Sequence, residues 1–202
     1  MENSNQKRNN RLTIIGFLLL FTLPVILAWT AYFSGWFTDI STTNKGEWVY
    51  PIIDMNKLSP SYANQDALEL QQGGKWRLLV PGAVSQCQNE ETDKDCLLSL
   101  FEIGQAHKAM GKEIERIERV LYNADSAYTE AELSSLKERF VDLRVINGSK
   151  APGLDPSYIY LMDPLGNIIL KYPAVSNQEE AFLKGRDIVK DLKKLLKLSR
   201  IG

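Results

Sequence analysis

Residues 75–112, KWRLLVPGAVSQCQNEETDKDCLLSLFEIGQAHKAMGK, carry the pattern that decides the fold. The run at 75–82 is short, apolar and closed by Pro-Gly, which predicts a buried strand. Between positions 93 and 112 apolar residues recur every three or four positions, which predicts a helix. Cys87 and Cys96 are the two cysteines of this 202-residue chain, and they lie between the strand and the first turn of the helix. The stretch therefore predicts a strand and a helix that meet at a cysteine pair.

The chain beyond this stretch continues to alternate strands and helices. We predict a strand at 114–123, a helix at 129–140, a strand at 141–147, a β-hairpin at 158–173 and an amphipathic helix at 179–201. This alternation predicts an α/β fold, with a central sheet that is mainly parallel, carries the hairpin at an antiparallel edge and is flanked by helices. A helix that begins beside a cysteine pair, directly after the first strand, is typical of thioredoxin-like proteins. The positive end of such a helix stabilises a thiolate.

An apolar segment precedes the domain. Residues 12–33, LTIIGFLLLFTLPVILAWTAYF, contain no charged side chain and are long enough to cross a bilayer as a helix. Lys7, Arg8 and Arg11 precede the segment and Asp39 is the first charge after it, so the positive-inside rule places the N-terminus in the cytoplasm. The alternative is a cleaved secretory signal, whose apolar core is normally shorter. Both interpretations export the rest of the chain.

These features divide the chain into four parts. We predict a cytoplasmic tail at 1–11, a transmembrane anchor at 12–36, a linker and lead-in at 37–74, and an exported thioredoxin-like domain at 75–202. The 24 basic and 25 acidic residues leave a net charge of −1. This balance gives no support to a nucleic-acid partner.

Four interpretations of Cys87 and Cys96 are compatible with the sequence. In an exported domain the two thiols are free to form a structural disulfide, which would stabilise the fold by about 2–3 kcal/mol. They are also compatible with a redox-active dithiol, since Cys96 near a helix start would have a lowered pKa and Cys87 would resolve a mixed disulfide. The acidic residues around the pair, such as Asp95, oppose this by raising a thiol pKa. The third alternative is metal binding through the two thiolates. The fourth is that both thiols remain unpaired.

Five stretches resemble a known family. They are TNKGEWVYP (43–51), GKWRLLVPG (74–82), CLLSLFEIGQAHKAMGK (96–112), YLMDPLGNIILKYP (160–173) and DLKKLLKLSRIG (191–202). Together they resemble the Sco proteins, which are membrane-anchored thioredoxin-fold factors that deliver copper to cytochrome c oxidase. The resemblance is closer still to the Sco-related transmembrane cytochrome oxidase associated proteins of proteobacteria. It runs through the whole chain.

The resemblance implies a copper site that this sequence does not complete. Sco proteins bind copper through two cysteines, four positions apart, and a distant histidine, a set of soft ligands suited to copper. Here Cys96 matches the second family cysteine, but Cys87 lies nine positions before it. Asp155, or Pro156 if the register shifts by one, stands where the family has histidine. The single histidine, His107, is about three turns along the helix from Cys96 and is expected at the helix surface or core edge. Pro156 stands near the place of the cis-proline of thioredoxin folds; an ordinary trans bond is commoner, and the cis bond is the alternative that the resemblance implies.

The resemblance implies an accessory factor in assembly or stabilisation of a respiratory cytochrome c oxidase, with a degenerate metal site. Its partners would be oxidase subunits or other assembly factors. It would be a single-pass protein of the inner membrane with its C-terminal domain in the periplasm. We expect no resident cofactor, with copper on Cys87, Cys96 and Asp155 as the alternative. An enzyme remains open: a membrane-tethered thiol–disulfide oxidoreductase that uses Cys87 and Cys96.

The final predicted helix carries a basic face. Its exposed side chains would be Lys184, Arg186, Lys190, Lys193, Lys194, Lys197 and Arg200. Such a face is usually solvated, and contact with anionic lipid or a partner is the alternative.

Overall fold

The computed structural model describes residues 2–34, 43–63, 74–88, 94–124 and 127–199, with the backbone alone at 2–10. The chain forms two compact units, Met1–Thr43 and Asn44–Gly202.

The first unit contains one long helix, α1 (Glu2–Phe33). Its segment Arg11–Phe33 is long and apolar enough to cross a membrane. The large apolar side chains of this segment are exposed by half or more. This segment overlaps the anchor predicted at 12–36, whose positions 35 and 36 lie outside the described residues.

The second unit is a mixed sheet with helices. Its elements are β1 (Glu47–Asp54), β2 (Ser61–Tyr62), β3 (Trp76–Pro81), α2 (Lys94–Lys108), β4 (Ile117–Ala124), α3 (Glu130–Arg139), β5 (Leu143–Gly148), β6 (Tyr158–Met162), β7 (Asn167–Pro173) and α4 (Gln178–Leu198). The strand order is β1-β7-β6-β3-β4-β5-β2. Helices α2 and α3 connect the parallel strands β3, β4 and β5, as expected for crossovers. The predicted thioredoxin-like α/β sheet flanked by helices is therefore confirmed.

The sheet differs from the prediction in its strand directions. Only the β3–β4 and β4–β5 pairs are parallel, and the other pairs in the described sheet are antiparallel. The β6–β7 hairpin does not form the edge, because β6 pairs with β3 and β7 pairs with β1. Strand order depends on long-range pairing, which local sequence patterns do not encode.

The lead-in at 37–74 is more than a linker. Its described residues 43–63 provide β1, the 3₁₀ turn Met55–Leu58 and β2. Strand β1 pairs with β7, and β2 pairs with β5 at the opposite edge. The segment thus crosses one face of the sheet from edge to edge.

Several strand and helix boundaries differ by a few residues from those predicted from the sequence. A 3₁₀ helix at Gly111–Arg116 occupies the first part of the predicted strand 114–123, so β4 begins at Ile117. Thr129 caps α3, where its hydroxyl accepts from the Glu132 N–H and the Glu132 carboxylate accepts from the Thr129 N–H. This reciprocal capping box starts α3 where the sequence predicts.

The two faces of the sheet are covered differently. On one face Leu78, Leu121 and Leu161 pack in the cluster that includes α2, α3 and α4. On the other face Leu79 and Tyr160 pack against the β1–β2 segment and the loop before β6. Side chains alternate along each strand, so the two clusters contain alternate residues. One end of the sheet is formed by the carboxyl ends of β3, β4 and β5 together with the start of β6.

A buried carboxylate ties the start of the second unit to α4. Asp191, which is 2% exposed, accepts hydrogen bonds from the backbone N–H groups of Lys45 and Gly46 at 2.8 Å and from the Tyr172 hydroxyl at 3.0 Å. Burial, followed by the nearby charge of Asp191, raises the pKa of Tyr172 well above its usual value. Gly46 fits here because an added Cβ would lie 2.7 Å from the Tyr172 ring. We call Asp191 with its bonds to Lys45, Gly46 and Tyr172 the Asp191 clamp. It was not predicted from the sequence.

Candidate functional site

The structure joins Cys87 and Cys96 in a disulfide at the carboxyl end of β3. Their Cα atoms lie 5.5 Å apart, within the usual range for a disulfide. A Cβ added to Gly82 would lie 3.5 Å from Cys96 Sγ and 3.6 Å from Cys87 Sγ, so the backbone after β3 contacts the bridge directly. We call Gly82, Cys87 and Cys96 the cysteine corner. Cys87 is buried, whereas Cys96 is half-buried in the first turn of α2.

The segment that carries Cys87 is held by neighbouring elements. The N–H of Val84 donates to Asn123 Oδ1 at the end of β4, over 3.2 Å. The N–H of Cys87 donates to the Val84 carbonyl across a 3₁₀ turn. Gln88 Nε2 donates to the carbonyls of Val84 and Glu132, at 2.9 and 3.1 Å. Cys87 is therefore fixed by contacts to β4 and α3 in addition to the disulfide.

A polar network extends from the cysteine corner across the carboxyl ends of β4 and β5. Asn123, which is 2% exposed, donates through Nδ2 to Asn147 Oδ1 at 3.0 Å, and Asn147 donates to the Tyr128 hydroxyl at 2.9 Å. These side chains line a cavity of about 640 Å³ with Ser59, Ser61 and Ser149. Sequence reasoning missed the network. The available signal was an asparagine at the end of each of two neighbouring strands.

An apolar groove includes the residue that follows Cys96 in the chain. Leu97 lines it together with Leu98, Phe101 and Phe140, and Lys94 and Arg139 also belong to the lining. The groove has a volume of about 500 Å³. The cysteine corner is thus linked to the polar cavity through Asn123 and to the apolar groove through Leu97.

Asp155 lies apart from the cysteine corner. Its N–H donates to the Tyr160 hydroxyl at 2.8 Å, and its carboxylate accepts from the Ser157 N–H at 2.8 Å. The Ser157 hydrogen bonds hold the pKa of Asp155 below its usual value. Tyr160 belongs to the cluster on the face of the sheet opposite the cysteines. The structure therefore does not bring Asp155 to the two sulfurs.

Pro156 follows Asp155 through a trans bond, so the cis alternative is wrong for this position. In the part of the chain that the structure describes, the cis peptide is Tyr50–Pro51, in β1.

His107 has a structural role, as expected for a core-edge residue. Its Nε2 lies 3.1 Å from the Ile114 carbonyl and 3.0 Å from the Ile117 carbonyl, where a protonated Nε2 donates to both. Burial lowers the pKa of His107, which favours the neutral ring. His107 thereby ties α2 to the 3₁₀ turn and the start of β4.

The residues at the cysteine corner do not fit a three-ligand copper site. The disulfide uses both sulfurs, whereas a metal ligand must be a thiolate. Asp155 and His107 are engaged elsewhere. Among the described residues, no group of three His, Cys, Asp or Glu side chains is placed to hold a metal ion.

The fold and the cysteine corner define the chain as a thioredoxin-like protein: a mixed sheet, with a cysteine pair between its first parallel strand and the following helix. A family model described as "transmembrane-like, thioredoxin-like, C-terminal domain" matches residues 76–199, and the chain belongs to this family. No curated protein matches the sequence.

Solved structures of Sco proteins share the fold. The apo Sco1 protein from Thermus thermophilus matches with a TM-score of 0.51 and 16% identity, over 77% of this chain and 99% of that chain. ScoI from Arabidopsis thaliana, solved with copper bound, matches with a TM-score of 0.50 and 16% identity, over 74% and 98%. BsSco matches with a TM-score of 0.50 and 13% identity, over 77% of this chain and 98% of that chain. It is described as having a disulfide switch and as a member of the Sco family of cytochrome c oxidase assembly proteins. The predicted relation to Sco proteins is thereby confirmed at the level of the fold.

Proposed function

We propose that this protein is a membrane-anchored, periplasm-facing accessory factor in the assembly or stabilisation of a respiratory cytochrome c oxidase. The apolar segment Arg11–Phe33 would anchor it in the inner membrane, with residues 1–11 in the cytoplasm. Membership of a transmembrane-like, thioredoxin-like family supports this assignment. The fold shared with BsSco, a Sco-family oxidase assembly protein, supports the oxidase as the partner.

The observation that carries the proposal is a Sco-like fold whose cysteine pair forms a disulfide, with no third metal ligand beside it among the residues that the structure describes. Copper delivery requires a site that holds the ion until transfer. Two thiolates released by reduction of the Cys87–Cys96 bond would provide two ligands, while His107 and Asp155 stay bonded elsewhere. The arrangement therefore favours docking or stabilisation of an assembly intermediate over autonomous copper delivery.

The proposal is tested in the source organism by deletion and complementation. Deletion should reduce the amount of assembled oxidase, measured as haem a absorbance and oxygen uptake in membranes. The Cys87→Ser/Cys96→Ser variant should restore most of it, once immunoblots show wild-type protein levels. A deletion strain with normal oxidase refutes the oxidase assignment, and a fully expressed double variant that restores nothing refutes the docking role.

A copper measurement separates docking from delivery. The full chain, purified in detergent and reduced, is dialysed with Cu(I) and analysed for metal. We expect less than one copper per chain after competition with a Cu(I) chelator. Stoichiometric copper that is lost from both Cys87→Ser and Cys96→Ser would instead support delivery.

A second candidate function is thiol–disulfide exchange. The observation in its favour is the position of Cys96, half-buried in the first turn of α2, where the helix stabilises a thiolate. As an oxidant, the Cys87–Cys96 bond would be reduced to two thiols while a substrate dithiol is oxidised to a disulfide. This function predicts a reduction potential well above about −300 mV, the range of structural disulfides. A lower potential would leave the bond as a structural bridge.

A further inference from the structure

The C-terminal half of α4 presents four exposed lysines, and the acidic residue between them is buried. Lys190, Lys193, Lys194 and Lys197 are exposed there. The acidic residue among them, Asp191, is 2% exposed, and its carboxylate accepts bonds from backbone N–H groups and Tyr172. Asp187, which precedes this half, is partly exposed and accepts a hydrogen bond from Lys190 Nζ at 3.1 Å. The fully exposed acidic residues of α4 lie in its first turn.

The start of the second unit adds to this positive surface. Lys45 is exposed, and its backbone N–H is bound to Asp191. Lys194 Nζ donates to Asn44 Oδ1 at 3.3 Å, so this lysine of α4 lies at the point where the chain enters the sheet domain. We call Lys45, Lys190, Lys193, Lys194 and Lys197 the basic end.

The basic end is a local separation of charge. The whole chain has a net charge of −1. Helix α3, by comparison, mixes the two signs, with acidic residues in its first turn and Lys137 and Arg139 in its last. The basic end thus differs from α3 in its charge pattern.

We propose that the basic end rests on anionic phospholipid headgroups of the membrane. This inference rests on the proposed anchor. Residues 34–43 connect α1 to Asn44, and even fully extended they span at most about 35 Å. A connection of this length allows the basic end to reach the bilayer surface, where attraction acts within a Debye length of about 8 Å.

The size of the attraction follows from the number of lysines. Each lysine close to an anionic membrane surface strengthens binding about fivefold. Several lysines on one rigid helix act together, because α4 is already ordered by its packing on the sheet. The basic end would thereby hold the domain in one orientation on the membrane.

The test uses the full chain in nanodiscs of either phosphatidylcholine alone or phosphatidylcholine with about one-third phosphatidylglycerol. An amine-reactive acetylating reagent is added, and mass spectrometry gives the rate at each lysine. Contact with headgroups should slow acetylation of the basic end about fivefold in the anionic discs. High salt should restore the rate. Lys57, on the opposite face of the sheet, and Lys137, on α3, should react equally in both discs.

Matched variants keep the total charge change equal. Lys193→Glu/Lys197→Glu should abolish the lipid dependence at Lys45, Lys190 and Lys194, whereas Lys57→Glu/Lys137→Glu should leave it unchanged.

Two failures are distinguishable. If the chain does not co-elute with either disc, the proposed anchor is refuted and this inference with it. If it co-elutes but the lysines of the basic end react equally in both lipids, the inference alone is refuted. Protection that appears only after addition of the oxidase would also refute it, in favour of a protein surface.

Discussion

Glu102 is a buried carboxyl group between α2 and α4. It is 0% exposed, and neither of its oxygens has a hydrogen-bond partner within the described structure. A Cβ added at Gly185 of α4 would lie 3.8 Å from Glu102 Cγ. Burial raises the pKa of Glu102 to about 8, while Lys184 lowers it and Glu180 raises it by smaller amounts. The native protein therefore holds this carboxyl protonated at neutral pH.

This raised pKa makes stability fall as the pH rises. Below the ordinary pKa of 4.5, Glu102 is protonated in both the folded and the unfolded chain. Between 4.5 and about 8 it ionises in the unfolded chain alone, which favours unfolding by about 1.4 kcal/mol per pH unit. Ionisation of the unfolded chain is incomplete near about pH 5, and the folded protein begins to ionise near about pH 8, so the full slope does not apply at either end. From about pH 5 to pH 8 the free energy of unfolding should therefore drop by about 3 kcal/mol.

The assay compares wild type with Glu102→Gln by urea unfolding in non-ionic detergent at both pH values. Glutamine does not titrate, so any fixed cost of the buried amide cancels in the pH difference. The wild-type protein should lose about 3 kcal/mol more than Glu102→Gln between the two pH values. Glu138→Gln, at an exposed position of α3, is the control and should behave as wild type. Equal pH dependence in Glu102→Gln and wild type would refute the buried, protonated state.

Three further predictions concern the bridge and the clamp. Cys87→Ser/Cys96→Ser should lower the free energy of unfolding by about 3 kcal/mol, measured by urea unfolding under oxidising conditions; reduced wild type should match it, and no difference would contradict a structural bridge. Asp191→Asn should lower the free energy of unfolding by about 2 kcal/mol. The asparagine side chain has one oxygen to accept from the three donors, and its NH₂ group faces donors where the carboxylate had an acceptor. The variant should also be cleaved faster by protease near Lys45, and wild-type cleavage rates would refute the clamp. Gly46→Ala should destabilise by about 1–3 kcal/mol through contact with the Tyr172 ring, and Tyr172→Phe in the same background should not relieve it.

The parts of the fold that depend on local chemistry could be predicted from the sequence. Thr129 and Glu132 form a capping box within one turn, and the start of α3 follows from them alone. The cysteine corner is also local, because a strand, a cysteine pair and a helix follow one another directly. Strand β1 was missed because its Pro51 weakens the strand pattern and its partner is more than 100 residues away, at Lys171.

The site could be predicted only in part, for a similar reason. The sequence indicates that Cys87 and Cys96 approach each other, but it cannot show that Asp155 turns to the other face of the sheet. That depends on Tyr160, whose hydroxyl holds the loop. The role of Asp191 was equally hidden, since its partners are backbone N–H groups at the beginning of the domain.

The Asp191 clamp has a mechanical consequence for a tethered domain. Strand β1 lies at the sheet edge, and tension applied directly at Glu47 would peel it from β7 one hydrogen bond after another. The bonds at Lys45 and Gly46 come first along the chain and lead to the middle of α4. In the proposed anchored protein, a pull from the tether would therefore load a long, well-packed helix before it reached the sheet, and the clamp would keep β1 from fraying when the anchor moves.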